Sequence, residues 1–243
     1  VWHDVLDDEG AQEVMAHQGF TDTDTALTRL QRFRDGSRVR ALSDQGRTRL
    51  DRLMPMLLAA AAGSETPDDA LDRLITLLDG IVRRTAYLAL LNEHPMAVSQ
   101  LVRLVAGSPW IARYLSLHPM LLDELLDPRT LYAPLSRDAL LAEAQARMAT
   151  ADRDDLEQQM EILRQFKQTQ VLRVAAADLA GAIPVMLVSD YLTDIAEVVL
   201  ECVLPLAWRQ VSQRYGEPLR ADGEVADFGM LAYGKLGSFE LGY

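Results

Sequence analysis

Cysteine is nearly absent. The single residue, Cys202, lies in the apolar stretch VVLECVLPL, which leaves no internal disulfide framework. It reads as a buried small hydrophobe, and a lone thiol fits a reducing, cytoplasmic compartment. Long apolar runs are missing as well. MPMLLAAAAG and TAYLALL are of core-helix length, short of the ~18 residues that span a bilayer. The start, VWHDVLDDEG, is acidic and lacks the basic opening of a secretory signal. Basic charge is scarce: 24 Lys and Arg stand against 36 Asp and Glu, a formal net charge of -12. A surface of that sign repels phosphate backbones and argues against general nucleic-acid binding. The four histidines, His3, His17, His94 and His118, have no metal-ligand spacing, and no Ser-His-Asp or Cys-His arrangement is legible.

What the chain does have is helical periodicity. Its 243 residues are 49% apolar, enough for a sizeable core. Apolar residues recur at three and four, punctuated by helix caps, which predicts roughly nine or ten helices. Leu27, Leu30 and Phe33 share one face after a Thr/Asp cap. SDQGRTRLDRLMPMLLAAAAG opens on a Ser cap and closes on Gly63. The run from Thr66 to Pro95 carries Pro67 and acids in its first turn, with Leu71, Leu74, Leu78, Ile81 and Val82 on a broad apolar face. Proline-bounded short helices follow. Between Asp152 and Gly181, Leu156, Met160, Leu163, Val171 and Val174 are placed to share a buried stripe. AIPVMLV reads as a short extended link whose tail resembles a strand. A long helix then starts at a Ser189 cap, with a possible kink at Pro205.

The texture changes after Gly216. EPLRADGEVAD is a polar, turn-rich linker, and FGMLAY, residues 228–233, is the clearest strand candidate. It leads into the turn GKLGS. Gly229 to Lys235 spells most of a Walker A, but Leu236 stands where magnesium needs Ser or Thr, and Met-Leu-Ala-Tyr is no phosphate cradle. Leu236-Gly237-Ser238 is a better template. Glycine lets the backbone approach a triphosphate, and a small residue at the next helix start leaves amides free for anionic oxygens. Read from these residues alone, a plain strand-to-helix turn is the better reading.

Other candidates have structural explanations beside functional ones. Arg164, Lys167 and Arg173 are placed to face phosphate or an acidic partner, or to form a solvated face paired with Asp155, Glu157 and Glu161. Asp68-Asp69 and Asp154-Asp155 sit at helix starts, where capping accounts for them. Glu240 falls in the first turn of a following helix, and Trp110, Trp208 and Tyr87 read as core. His94 and His118 precede prolines at helix ends.

The turn YGKLGSFELGY resembles the signature of the glutamine synthetase adenylyltransferase family, the bifunctional adenylylating and adenylyl-removing enzyme. So do RRTAYLALLNEHP, SPWIARYLSLHPMLLDELLDP, DLEQQMEILRQFKQTQVLRVAAADLAG and VSDYLTDIAEVVLE, which look like blocks before the second catalytic domain. GFTDTDTALTRL and LSDQGRTRLDRLMPMLL look like the stretch after the first. The family more often has Gly-Gly where this chain has Gly237-Ser238.

The resemblance implies a mainly α multi-helix assembly followed by the first strand and turn of an α/β nucleotidyltransferase domain. It implies a helical linker over 1–66, a helical region over 67–216, and the start of the nucleotidyltransferase domain over 224–243. It implies transfer of AMP from ATP, with Mg2+, to a tyrosine of glutamine synthetase, and removal by phosphorolysis in the other half. The PII signalling protein and glutamine are the implied regulators. Gly237, Ser238 and Lys235 are the implied nucleotide-binding residues. No catalytic or metal residue is assigned, because the family's Ser-Asp-x-Asp pair normally follows at once, beyond Tyr243. The opening Val and the stop just past the turn read as a piece of a longer polypeptide, itself inactive. The alternative from another class is a non-catalytic helical module that binds glutamine synthetase or a PII protein.

Overall fold

The computed structural model describes residues 1–3 and 5–243. They divide into two compact units, Val1–Pro128 and Arg129–Tyr243. The division falls inside the helical region expected over 67–216.

The first unit contains α1 (Asp8–His17), α2 (Thr23–Arg34), α3 (Ser37–Arg40), α4 (Asp44–Ala62), α5 (Pro67–Ile81), α6 (Thr85–Glu93), α7 (Pro95–Gly107) and α8 (Pro109–Leu117). A 3-10 helix, Pro119–Leu126, closes it, and α9 (Pro128–Leu131) begins at the division. Local chemistry fixes the ends. Ser43 and Ser108 side chains accept from the Gly46 and Ile111 amides, and Pro67, Pro95, Pro109 and Pro119 open elements where a missing N–H costs little. His94 and His118 end α6 and α8. The central helix is α5, packed on α2, α4, α7 and α8. Its expected face is buried throughout: Leu71, Leu74, Leu78, Ile81 and Val82.

The run from Thr66 to Pro95 is not one helix. It breaks at Val82–Arg84, where the Arg84 amide bonds to the Ile81 carbonyl at 2.7 Å and Arg84 leaves the helical region. Tertiary ties explain the break. Asn92 donates to the Arg49 carbonyl at 2.9 Å, and Arg49 donates to the Thr85 carbonyl at 3.2 Å, which holds α6 on α4.

Asp68 does more than compensate its own helix. It accepts from the Thr21 amide at 3.0 Å, the Thr21 hydroxyl at 2.5 Å and the Asp22 amide at 3.4 Å, tying α5 to the start of α2. Burial pushes its carboxyl up, but these three donors outweigh it and hold the value below the ordinary 3.8. A carboxyl lowered in the folded state stabilises above its unfolded value. That contribution is lost as pH falls below 3.8 through the lowered folded value. Asp68→Asn is expected to destabilise the first unit by about 1 kcal/mol at neutral pH, and to flatten acid destabilisation below 3.8, in denaturant titrations followed against pH.

The second unit is built on α10 (Arg137–Met148), α11 (Leu156–Leu179) and α12 (Val185–Tyr215), with the short α13 (Gly234–Gly237) near its end. The most extensive contact is between α11 and α12, and α10 packs on both. Their shared core is Leu140, Ala144, Phe166, Val174, Val188, Leu192, Ile195 and Val198. The buried line of α11 runs through Gln159, Leu163, Phe166, Gln170, Val174 and Ala177. Met160, expected in that stripe, is 37% exposed, and Leu156 and Val171 are only half-buried. Two glutamines take the place of expected apolar residues, each bonded. Gln159 donates to the Asp152 carbonyl at 2.8 Å, and Gln170 donates to Glu143 at 3.2 Å. The helix closes with Gly181 at φ +67°, and the Ala182 amide reaches back to the Ala177 carbonyl at 2.8 Å.

Residues 185–188 are helical, not an extended link. Burying Val188 on the same face as Leu192 and Ile195 carries α12 back to Pro184, so Ser189 lies inside the helix and caps nothing. The helix runs through Pro205.

Residues 228–233 form no strand. A strand needs a neighbour for its amides and carbonyls, and among the described residues the only bridge is Leu219 with Val225. Phe228, Met230, Leu231 and Tyr233 are exposed. The expectation of a mainly helical chain holds; the strand does not.

Phe166→Ala is expected to lower the unfolding free energy of the second unit by about 3–5 kcal/mol. Met160→Ala, on the solvent side, is expected to change it by less than about 0.5 kcal/mol. Urea titration separates the two outcomes.

Candidate nucleotide site

The terminal turn is a small closed structure. Gly234 opens it at φ +62°, where a side chain is strained. The Ser238 amide and hydroxyl both donate to the Gly234 carbonyl, each at 2.9 Å. The Phe239 amide donates to the Leu236 carbonyl at 3.4 Å, and the Glu240 amide to the Lys235 carbonyl at 2.8 Å. Phe239 is the one non-glycine described at positive φ, +58°. Gly237 sits where the chain folds back on itself. A Cβ there would stand 2.4 Å from the Ala232 carbonyl oxygen, a clash with backbone.

The structure brings Lys235, Gly237 and Ser238 together in one turn, all exposed. It does not aim the Ser238 amide outward. Gly237-Ser238 ends a helical turn instead of starting a helix, and the Ser238 donors are used within it. Glu240 lies outside any helix. Among the described residues no group of three or more His, Cys, Asp or Glu is placed to hold a metal ion. Gly237, Ser238 and Lys235 offer no carboxylate, so this turn does not by itself fit magnesium.

Arg164, Lys167 and Arg173 do not converge on the turn. Arg164 pairs with Glu161, one of its expected partners. Arg173 reaches Glu143 on α10 at 3.7 Å, a pairing the spacing did not suggest. Lys167 is exposed. Asp155 caps α11, accepting from the Gln158 amide at 2.8 Å. Trp110, Trp208 and Tyr87 are half-buried; Trp110 stacks on Tyr114 with ring centroids 4.6 Å apart.

Two anchors hold the terminal segment to the helices. Upstream, Phe228 lies against Trp208, ring centroids 6.2 Å apart. Downstream, Leu241 packs on the α10–α11–α12 core, and the Tyr243 hydroxyl donates to Asp178 Oδ2 at 3.1 Å. Burial pushes the Tyr243 phenol up, and the Asp178 charge and hydrogen bond raise it further. Sequence reasoning missed this pair: the residues are 65 apart, and no spacing rule joins them.

The glutamate-ammonia ligase adenylyltransferase family model matches residues 98–243, the long helices and the turn together. The chain belongs to that family. Relatives cover the first unit too. A protein of Thioalkalivibrio sulfidiphilus is 53% identical over 246 residues, covering 100% of this chain and 25% of the relative. One of Nitrosococcus oceani is 50% identical over 238 residues, with 97% and 25% covered. One of Pseudomonas aeruginosa is 46% identical over 245 residues, with 100% and 25% covered. Each carries the name bifunctional glutamine synthetase adenylyltransferase/adenylyl-removing enzyme. The chain thus spans about a quarter of the length of these relatives. No described helix is long and apolar enough to cross a membrane.

Gly237→Ala is expected to force the turn off Ala232. Ser238 and Glu240 amide protons, bonded within the turn, should then lose exchange protection in NMR spectra while α11 keeps its own.

Proposed function

We propose that this chain is the helical lead-in and opening turn of the adenylylating half of an enzyme that transfers AMP from ATP to a tyrosine of glutamine synthetase. In the same reading the other half removes the AMP by phosphorolysis, and the whole regulates nitrogen assimilation. The observation that carries it is the family match across residues 98–243, joined to relatives that cover the full chain. The working compartment is the cytoplasm, and the regulators are a PII signalling protein and glutamine. Residues 1–66 are the linker after the first catalytic half, 67–216 the helices before the second, and 224–243 the start of its nucleotidyltransferase domain.

The chemistry asked of these residues is binding and placement. Gly237 lets backbone approach the triphosphate without a side chain between them. In this reading the Ser238 amide and hydroxyl, both bonded to the Gly234 carbonyl here, would leave it for phosphate oxygens. Lys235 adds a positive charge at the turn. Residues 228–233 pair as a strand when a neighbouring strand is present. This turn does not by itself hold magnesium, which would supply charge neutralisation of the triphosphate. The remaining task is to place the tyrosine oxygen in line with the α-phosphorus, so that the new O–P bond forms as the α–β anhydride bond breaks and pyrophosphate leaves.

A second reading fits the 243 residues taken alone. Their described residues form helices with no carboxylate set at the turn, which favours a non-catalytic interaction module for glutamine synthetase or a PII protein. One experiment separates the two. The full-length protein encoded with this chain is incubated with labelled ATP, Mg2+ and glutamine synthetase. Label on a synthetase tyrosine is the expected result, and none is expected from the 243-residue chain. No transfer by the full-length protein sinks the reading; transfer by the chain alone sinks its assignment as a lead-in.

A further inference from the structure

Asp178 is an unusual residue for its place. It lies in the last turn of α11, where the carbonyl ends of the helix disfavour a negative side chain. Nothing in the capping of that end uses its carboxylate. The helix closes through Gly181 and the Ala182-to-Ala177 backbone bond. The carboxylate accepts a hydrogen bond from the Tyr243 hydroxyl at 3.1 Å. Leu241, two residues earlier, packs on the helical core. Five positions separate Ser238 from Tyr243, so whatever fixes Tyr243 limits where the turn can go. On the other side of the turn, Phe228 rests on Trp208 of α12. Met230, Leu231 and Tyr233, between the two anchors, are exposed and add little hold.

We infer that Asp178 is a positioning residue for the nucleotide turn, clamping it to the end of α11 through the Tyr243 hydroxyl. This rests on the adenylyltransferase reading of the turn. Asp178 touches no substrate; it acts through Tyr243, and the turn then presents Gly237 and Ser238 at a fixed distance from the two long helices. A hydrogen bond to a charged acceptor is worth enough to change the occupancy of the clamped turn by about tenfold. Loss of the clamp leaves the helices folded and the turn mobile, so it should weaken the nucleotide's hold without unfolding the second unit.

The test uses the full-length protein encoded with this chain, with ATP binding measured by calorimetry and AMP transfer measured separately. Asp178→Ala and Tyr243→Phe are each expected to weaken ATP binding and raise the KM for ATP by about three- to tenfold. The KM for glutamine synthetase and the thermal midpoint of the second unit should stay at their wild-type values. Asp178→Asn keeps an acceptor oxygen and should recover most of the affinity. The double variant should be no worse than either single one, because both remove the same bond. Wild-type ATP affinity in Asp178→Ala overturns the inference. So do additive single effects, or an affinity loss that only tracks a lowered thermal midpoint. Failure of the wild-type protein to transfer AMP overturns the underlying reading and this inference with it. Transfer by the wild type with unchanged variants overturns this inference alone.

Discussion

Along the seam between α11 and α12, two long helices bury one another's apolar faces over several turns, and the second unit depends on that contact. Phe166, Val174, Val188, Leu192, Ile195 and Val198 interlock there, with Leu140 and Ala144 of α10 closing the third side. Short helices are marginal alone in water, so length and mutual burial carry the stability. Two buried glutamines at the seam are tolerated because both find partners. Gln159 reaches the Asp152 carbonyl and accepts from Arg209 at 3.0 Å, and Gln170 reaches Glu143. Thr193 is the described exception, with a buried hydroxyl that has no partner. The terminal turn inherits its place from the seam, since its anchors, Trp208 and Asp178, stand on these two helices.

The first unit solves a different problem. Its helices are shorter and more numerous, so more helix ends need satisfying. Polar side chains do this across elements. Arg73 donates to the Val105 and Ala106 carbonyls at the end of α7, at 3.1 and 2.7 Å. Asn92 and Arg49 tie α6 to α4, and Asp68 gathers the loop before α2. Such bonds set where one helix stops and the next begins, and local propensity does not contain them.

That difference explains what was legible in the sequence. Strong apolar periodicity was readable: the faces of α2 and α5 are buried as their spacing requires. Caps chosen by chemistry, such as Ser43, were readable too. The break after Ile81 was not, because long-range side-chain bonds impose it. The α11 stripe was shifted because buried Gln159, Thr169 and Gln170 carry no apolar signal, while Met160 carries one and faces outward. The start of α12 was misplaced because burial of Val188 outweighed the cap preference of Ser189. The strand over 228–233 had the right composition and lacked a neighbour. At the candidate site, the glycine turn was legible from residue type alone. Its internal hydrogen bonding and its Tyr243–Asp178 tether were not, since both depend on how the chain folds back.

The helical seam is rigid as a unit, and the opening turn hangs between two anchors upon it. Hydrogen exchange along this chain, read residue by residue, tests that most directly. Amides of α11 and of the first half of α12 should open together in one slow, cooperative phase, while residues 228–233 exchange near the rate of unstructured chain. Independent exchange of α11 and α12, or helix-like protection across 228–233, would contradict the picture.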